Sequence, residues 1–368
     1  MTTAPVAPAR TRPEPIDWAL AGRIARRAVG REPLARSYLA ASLADDFAEA
    51  TARAESLVAD HTGLLAPAPA RARVLDRADW VDANVRSMRT LMRPLVERIA
   101  ERTAHHPLAP VGRSVTATEL GLMLGWMSQR VLGQYDLLVP ADDADAPGVA
   151  PGGGAADDAV YYVGVNVLAL EKRFAFRPRD FRLWIALHEC THRAQFTAVP
   201  WLRPWFLAQV GDLLGGVDAD PRRVVDALRR ALEELRQGRN PLDDGGIVAL
   251  LASPEHRATL DRIQCLMTVL EGHGNRVMNE LGARHVHGQD RMARVLEARR
   301  STRGVGALAR KALGVEAKMR QYEVGERFVA GVERLGGDRA VDPVWRGPEW
   351  LPTAAELEDP ERWLERVA

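Results

Sequence analysis

Residues 180–196 read DFRLWIALHECTHRAQF, and the spacing in this run decides how the chain is read. Phe181, Ile185, His188 and His192 fall at i, i+4, i+7 and i+11, one face of an α-helix. Pro178 and Asp180 supply helix-start chemistry, with Asp180 expected to accept from first-turn N–H groups, and Pro200 bounds the far end. The two histidines are four residues apart, about 40° and roughly 6 Å on a helix, so both imidazoles can reach one ion. Zinc commonly takes neutral imidazole nitrogens. Glu189 lies about 100° from His188, on the shoulder of that face, where a carboxylate can activate water rather than ligate. An imidazole on an apolar stripe needs a partner: a metal, or the hydrogen bonds of an ordinary core histidine.

A catalytic zinc site usually has three protein ligands and one open position. The candidate third ligand is in residues 263–278, IQCLMTVLEGHGNRVM. Met267, Glu271, Gly274 and Met278 share one helical stripe, whereas His273 falls with Arg262, Val269, Arg276 and Glu280. A carboxylate on an apolar face wants a cation, so Glu271 is the first choice and His273 the second. The bland alternative for Glu271 is a buried pair with an arginine. Gly272 and Gly274 would admit a close backbone. His285 and His287 are candidate oxyanion donors or plain surface histidines; His61, His105, His106 and His256 lack metal-like spacing.

Outward from these runs the pattern is mainly α. Helical periodicity covers 16–29, 38–58, 80–99, 120–132, 180–196, 205–214, 222–235, 263–281, 292–298 and 315–335. Strands are expected at 137–140 and at 160–170, VYYVGVNVLAL, the one long β-rich run. This divides the chain into a flexible tail (1–15), an N-terminal helical region (16–140), an acidic Gly/Ala/Asp-rich loop (141–158) and a catalytic region (159–368) packed with 16–140 as one unit.

Composition removes other classes. The 368 residues are 46% hydrophobic and 27% charged, which suits a folded core, and 50 Lys+Arg against 49 Asp+Glu leave no field for nucleic acid or acidic membrane. Arginines near 299–303 read as a solvated helix face. Cys190 and Cys265 cannot build a disulfide framework. With no signal-peptide core and no apolar run of about 18 residues, the expected address is the cytoplasm.

Residues 181–202 resemble the actinobacterial zincin-like metallopeptidases, which are often associated with biosynthesis of a deazaflavin coenzyme. Residues 128–136 (SQRVLGQYD), 270–273 (LEGH) and 318–325 (KMRQYEVG) extend the likeness. The resemblance implies a zincin-like helical core with a small β element, His188, His192 and Glu271 as Zn2+ ligands, and Glu189 as base. Gly164-Val165-Asn166 departs from it, since Pro is expected before Asn. The reading is a zinc metallopeptidase or amidase acting on a peptide or small amide through activated water. Tyr322 is a candidate oxyanion donor, and Asn166, on the strand expected to align substrate, a candidate substrate contact. The competing class is a metal-stabilised scaffold or binding protein; the sequence names no protein partner.

Overall fold

Local chemistry sets the element boundaries at several points. Asp17 accepts from the N–H of Leu20 to open α1 (Trp18–Ala28), and α2 (Leu43–Thr62) stops at Gly63, whose φ of 71° suits a residue without Cβ. After β1 (Arg71–Leu75), Asp76 caps α3 (Arg77–Leu91) through the N–H of Asp79. A single helix was expected over 80–99. The chain instead breaks at Met92 into α3 and α4 (Arg93–Thr103), beside Pro94, which has no N–H to continue the ladder. α5 (Ala109–Ser128) leads to β2 (Gly133–Tyr135).

The computed structural model describes residues 14–103, 109–137, 159–215, 254–301 and 315–368. The tail before residue 14, the acidic loop 141–158 and the helix expected at 222–235 lie outside them. So does most of the strand expected at 137–140; the strand in that part of the chain is β2.

The β-rich run 160–170 divides. β3 (Ala159–Val163) ends where Gly164 opens α6 (Gly164–Phe174), so the expected long strand is half strand and half helix. A Cβ at Gly164 would sit 2.7 Å from Val74 Cγ1, so the turn lies against β1. The sheet order is β1-β3-β2, with β1 parallel and β2 antiparallel to β3. β3 is therefore paired on both sides and has no edge for a substrate.

The remaining elements are α7 (Pro178–Ala198), α8 (Leu202–Gly215), α9 (Pro254–His285), α10 (Gln289–Ser301), α11 (Val315–Gly336), α12 (Ala354–Glu358) and α13 (Pro360–Val367). Two hydrophobic clusters organise them. One joins α2, β3, α6 and most of α7 to Val277, Met278 and Leu281 of α9. The other joins Phe196 of α7 to Cys265, Leu266, Val269 and Leu270 of α9, with α11 and α13. The halves of α7 and α9 pair in reverse order, so the two helices run antiparallel. Residues 188–192 and 271–274 fall where the clusters meet. No helix among the described residues is long and apolar enough to cross a membrane.

Candidate metal centre

Pro178 occupies the first turn of α7, as its fixed φ allows, but Arg177 at the cap position makes no side-chain cap bond. Asp180 does not serve the helix's own N–H groups as expected. Its Oδ1 accepts from the N–H of His287 at 3.3 Å and ties α7 to the turn after α9.

α7 is buried almost all round, so its polar residues need partners. Arg182 donates to both oxygens of Glu171, at 2.8 and 3.0 Å, and pairs with Asp46 on α2. Arg193 pairs with Glu55 and donates to the carbonyl of Ala68 at 2.6 Å. His188 and His192 form the face that reaches solvent, with side chains 19% and 15% exposed. The stripe is therefore mixed: Phe181 and Ile185 lie in the core, and its histidine end is the part that reaches solvent.

The three expected ligands converge. His188 Nε2 and His192 Nε2 are 3.2 Å apart. Glu271 Oε2, on α9, lies 3.5 Å from His192 Nε2 and 3.9 Å from His188 Nε2. Donors held at 2.0–2.2 Å around a tetrahedral zinc are about 3.4 Å apart, so this spacing fits such an ion. These residues are the group able to hold a metal among the described residues, with donor atoms all within 4.8 Å of one another.

Outer contacts orient the donors. Gln195 Oε1 lies 2.9 Å from His192 Nδ1, and its Nε2 is 3.1 Å from the Leu270 carbonyl and 2.9 Å from His273 Nδ1. An amide nitrogen only donates, so the network assigns His273 Nδ1 as acceptor and His192 Nδ1 as a protonated donor. His192 Nε2 is then left with its lone pair toward the ligand cluster. Burial, reinforced by His192 and His61, pushes the His273 imidazole down to about 3, which suits a neutral acceptor. Burial also disfavours charge on His192, but the Glu271 hydrogen bond and negative charge outweigh it and raise its pKa. His273 packs against Trp345 and serves this relay, not the donor cluster.

Two glycines make the crossing possible. A Cβ at Gly272 would lie 2.2 Å from the Gly325 carbonyl carbon of α11, and one at Gly274 would press on His192 Cε1 at 3.1 Å. Glu189 is buried beside the cluster, and its Oε2 accepts from the backbone N–H of Tyr135 on β2 at 3.1 Å.

Other expected site residues lie elsewhere. Asn166 is on α6, not on a substrate strand; it donates to the carbonyls of Ser128 and Val131 and accepts from Arg77 Nε. Its amide is committed to fixing the loop before β2, which replaces the expected substrate contact. His285 ends α9, ~21 Å along the helix from Glu271, and His287 lies in the turn beyond it, so both are remote from the cluster. Tyr322 is on α11, but its side chain lies outside the described residues. Both cysteines are buried and neither is in a disulfide, and burial with Asp261 and Glu356 pushes Cys265 up to about 11, away from nucleophile chemistry. Sequence reasoning passed over Gly133, Tyr135 and Gln195. Of these, Gln195 had a signal: it stands three residues after His192, within side-chain reach on a helix.

No curated protein matches the chain. A solved structure from Chloroflexus aurantiacus, described as a candidate hydrolase with a novel fold, is similar at 30% identity and a TM-score of 0.68. The match covers 96% of this chain and 98% of that one. A family model described as zincin-like metallopeptidase matches residues 16–364. With the match spanning nearly the whole chain, the protein belongs to the zincin-like metallopeptidase family.

Proposed function

We infer that the protein is a zinc-dependent hydrolase of amide or peptide bonds, with Glu189 as general base. The observation that carries this reading is the tetrahedral spacing of three donors beside a buried, strand-anchored carboxylate. His188, His192 and Glu271 would hold the ion. When bound, zinc lowers the pKa of a water toward ~7 and polarises a carbonyl.

The chain's own residues do the rest. Gln195 keeps His192 in the tautomer whose Nε2 can donate its lone pair. Glu189, which is outside the ligand triad, takes the proton of the attacking water and returns it to the leaving nitrogen. The solvent-reaching edge of the two imidazoles is where a substrate, either a peptide or a small amide, would enter. The narrower likeness to the actinobacterial branch associated with deazaflavin coenzyme synthesis belongs to this proposal as a resemblance and adds no reaction step.

The competing reading, a metal-stabilised scaffold, keeps the ligands and makes no use of the base. Glu189→Gln separates the two, because it preserves size and polarity but cannot accept a proton. We expect zinc content and Tm to match the parent while turnover in a peptide and amide screen falls by about a hundredfold to ten-thousandfold. A variant that hydrolyses the same substrate at the parent rate would remove Glu189 from the mechanism. Zinc-loaded parent that turns over nothing in the screen favours the scaffold.

A further inference from the structure

We propose that β2 is a positioning device for Glu189, in which Gly133 leaves room for its side chain and the Tyr135 amide fixes its carboxylate. The proposal rests on the reading of Glu189 as base and adds the residues that hold it.

Strand parity supports the arrangement. Val163 N–H donates to the Leu132 carbonyl at 2.9 Å, and the register pairs Gly133 with Tyr162, Gln134 with Tyr161 and Tyr135 with Val160. In an antiparallel pair the backbone groups alternate, so Leu132 and Gln134 bond to β3 while those of Gly133 and Tyr135 point away from it. On that outer edge the Tyr135 N–H meets Glu189 Oε2 at 3.1 Å. Side chains at 133 and 135 share one face of the strand, and at 133 that face is filled by Glu189. A Cβ there would lie 2.6 Å from Glu189 Cγ and 2.7 Å from Oε1. Real side chains do not approach so closely, so any residue but glycine displaces the carboxylate.

The segment is pinned on its other sides. Gln129 donates to the Ala28 carbonyl at 2.8 Å, and Asn166 donates to the carbonyls of Ser128 and Val131 at 2.8 and 2.7 Å. Gln134, on the opposite face, accepts from Trp80 Nε1 at 2.7 Å, and Asp136 accepts from Ser87 Oγ at 3.2 Å. These bonds tie β2 to α1, α3 and α6, so an adjustment at position 133 falls on Glu189 rather than on the strand. A base displaced by ~1 Å can lose about a hundredfold in rate, so this packing matters to the chemistry.

The test is a double-mutant cycle of Gly133→Ala in the parent and in Glu189→Ala, with zinc content, Tm and acetohydroxamate affinity as readouts. A hydroxamate chelates the metal and gives its proton to a nearby carboxylate, so its affinity reports the position of Glu189 without turnover. In the parent, Gly133→Ala should lower Tm and weaken acetohydroxamate by about tenfold, one charge-assisted hydrogen bond. In Glu189→Ala the new methyl has the vacated space, and it should change neither. Equal losses in both backgrounds would overturn the proposal, leaving Gly133 as a strand requirement unrelated to the base. Should Gly133→Ala not fold, Asn166→Ala loosens the same segment and should weaken acetohydroxamate in the parent alone. Protein that takes up no zinc defeats the metal reading, while the Tm arm still decides whether Gly133 acts through Glu189.

Discussion

The two sides of α7 bury polar residues in opposite ways. On one side Arg182 and Arg193 meet Glu171, Asp46 and Glu55, and each cation has its anion within the chain. On the other, two imidazole nitrogens and a carboxylate oxygen converge at 3.2–3.9 Å, a set of donors with a place for a cation among them. The first side is complete as protein alone and ties α7 to α2 and α6. The second gathers three donor atoms that could share one ion. One helix thus separates the residues that hold the fold from those that could hold a metal.

The largest effect should come from breaking the complete side. Arg182→Ala leaves Glu171 buried without its guanidinium and should cost about 3–5 kcal/mol of folding stability in denaturant titration. Zinc bound per folded molecule should not change; a parallel loss of zinc would show that the two sides are coupled. Next comes Glu271→Ala, which removes a donor outright. It should weaken zinc by more than the ~100-fold seen when an outer contact is lost, while metal-free Tm stays near the parent's. Unchanged affinity in a competition titration would exclude Glu271 from the ligand set. The smallest effect should be Gln195→Ala, which leaves all three donors and removes the partner of His192 Nδ1. Zinc affinity should fall by about 10–100-fold. A fall as deep as that of Glu271→Ala would mean that Gln195 supports more than ligand orientation.

Helical periodicity made the α7 side legible in the sequence. His188, His192 and Glu271 stand on stripes, and the rotation per residue of a helix is enough to separate Glu271 from His273. Residues 160–170 show where that reasoning stops. All but one are buried, so apolar content was the same for strand and helix, and the β-branched valines hid the switch at Gly164. β2 is three residues, too short for any period, yet it carries the contact to Glu189. Asn166 was misplaced for the same reason: its role depends on the loop folded against α6, which is a tertiary fact. Gln195 was readable in principle, but a polar residue on a helix is usually solvated, and only the antiparallel approach of α9 gives it Leu270 and His273.

The crossing of α9 and α11 at Gly272 and Gly325 has a consequence for how the centre is held in place. The Arg182–Glu171 pair holds α7 by attraction between opposite charges. Backbone contact carries no charge, and a Cβ at Gly325 would come within 2.1 Å of the Thr268 carbonyl oxygen, so this approach is open to glycine alone. The turn that carries Glu271 is therefore held by shape. Its placement depends on the fit of two glycine backbones, where that of α7 against α2 and α6 depends on paired charges.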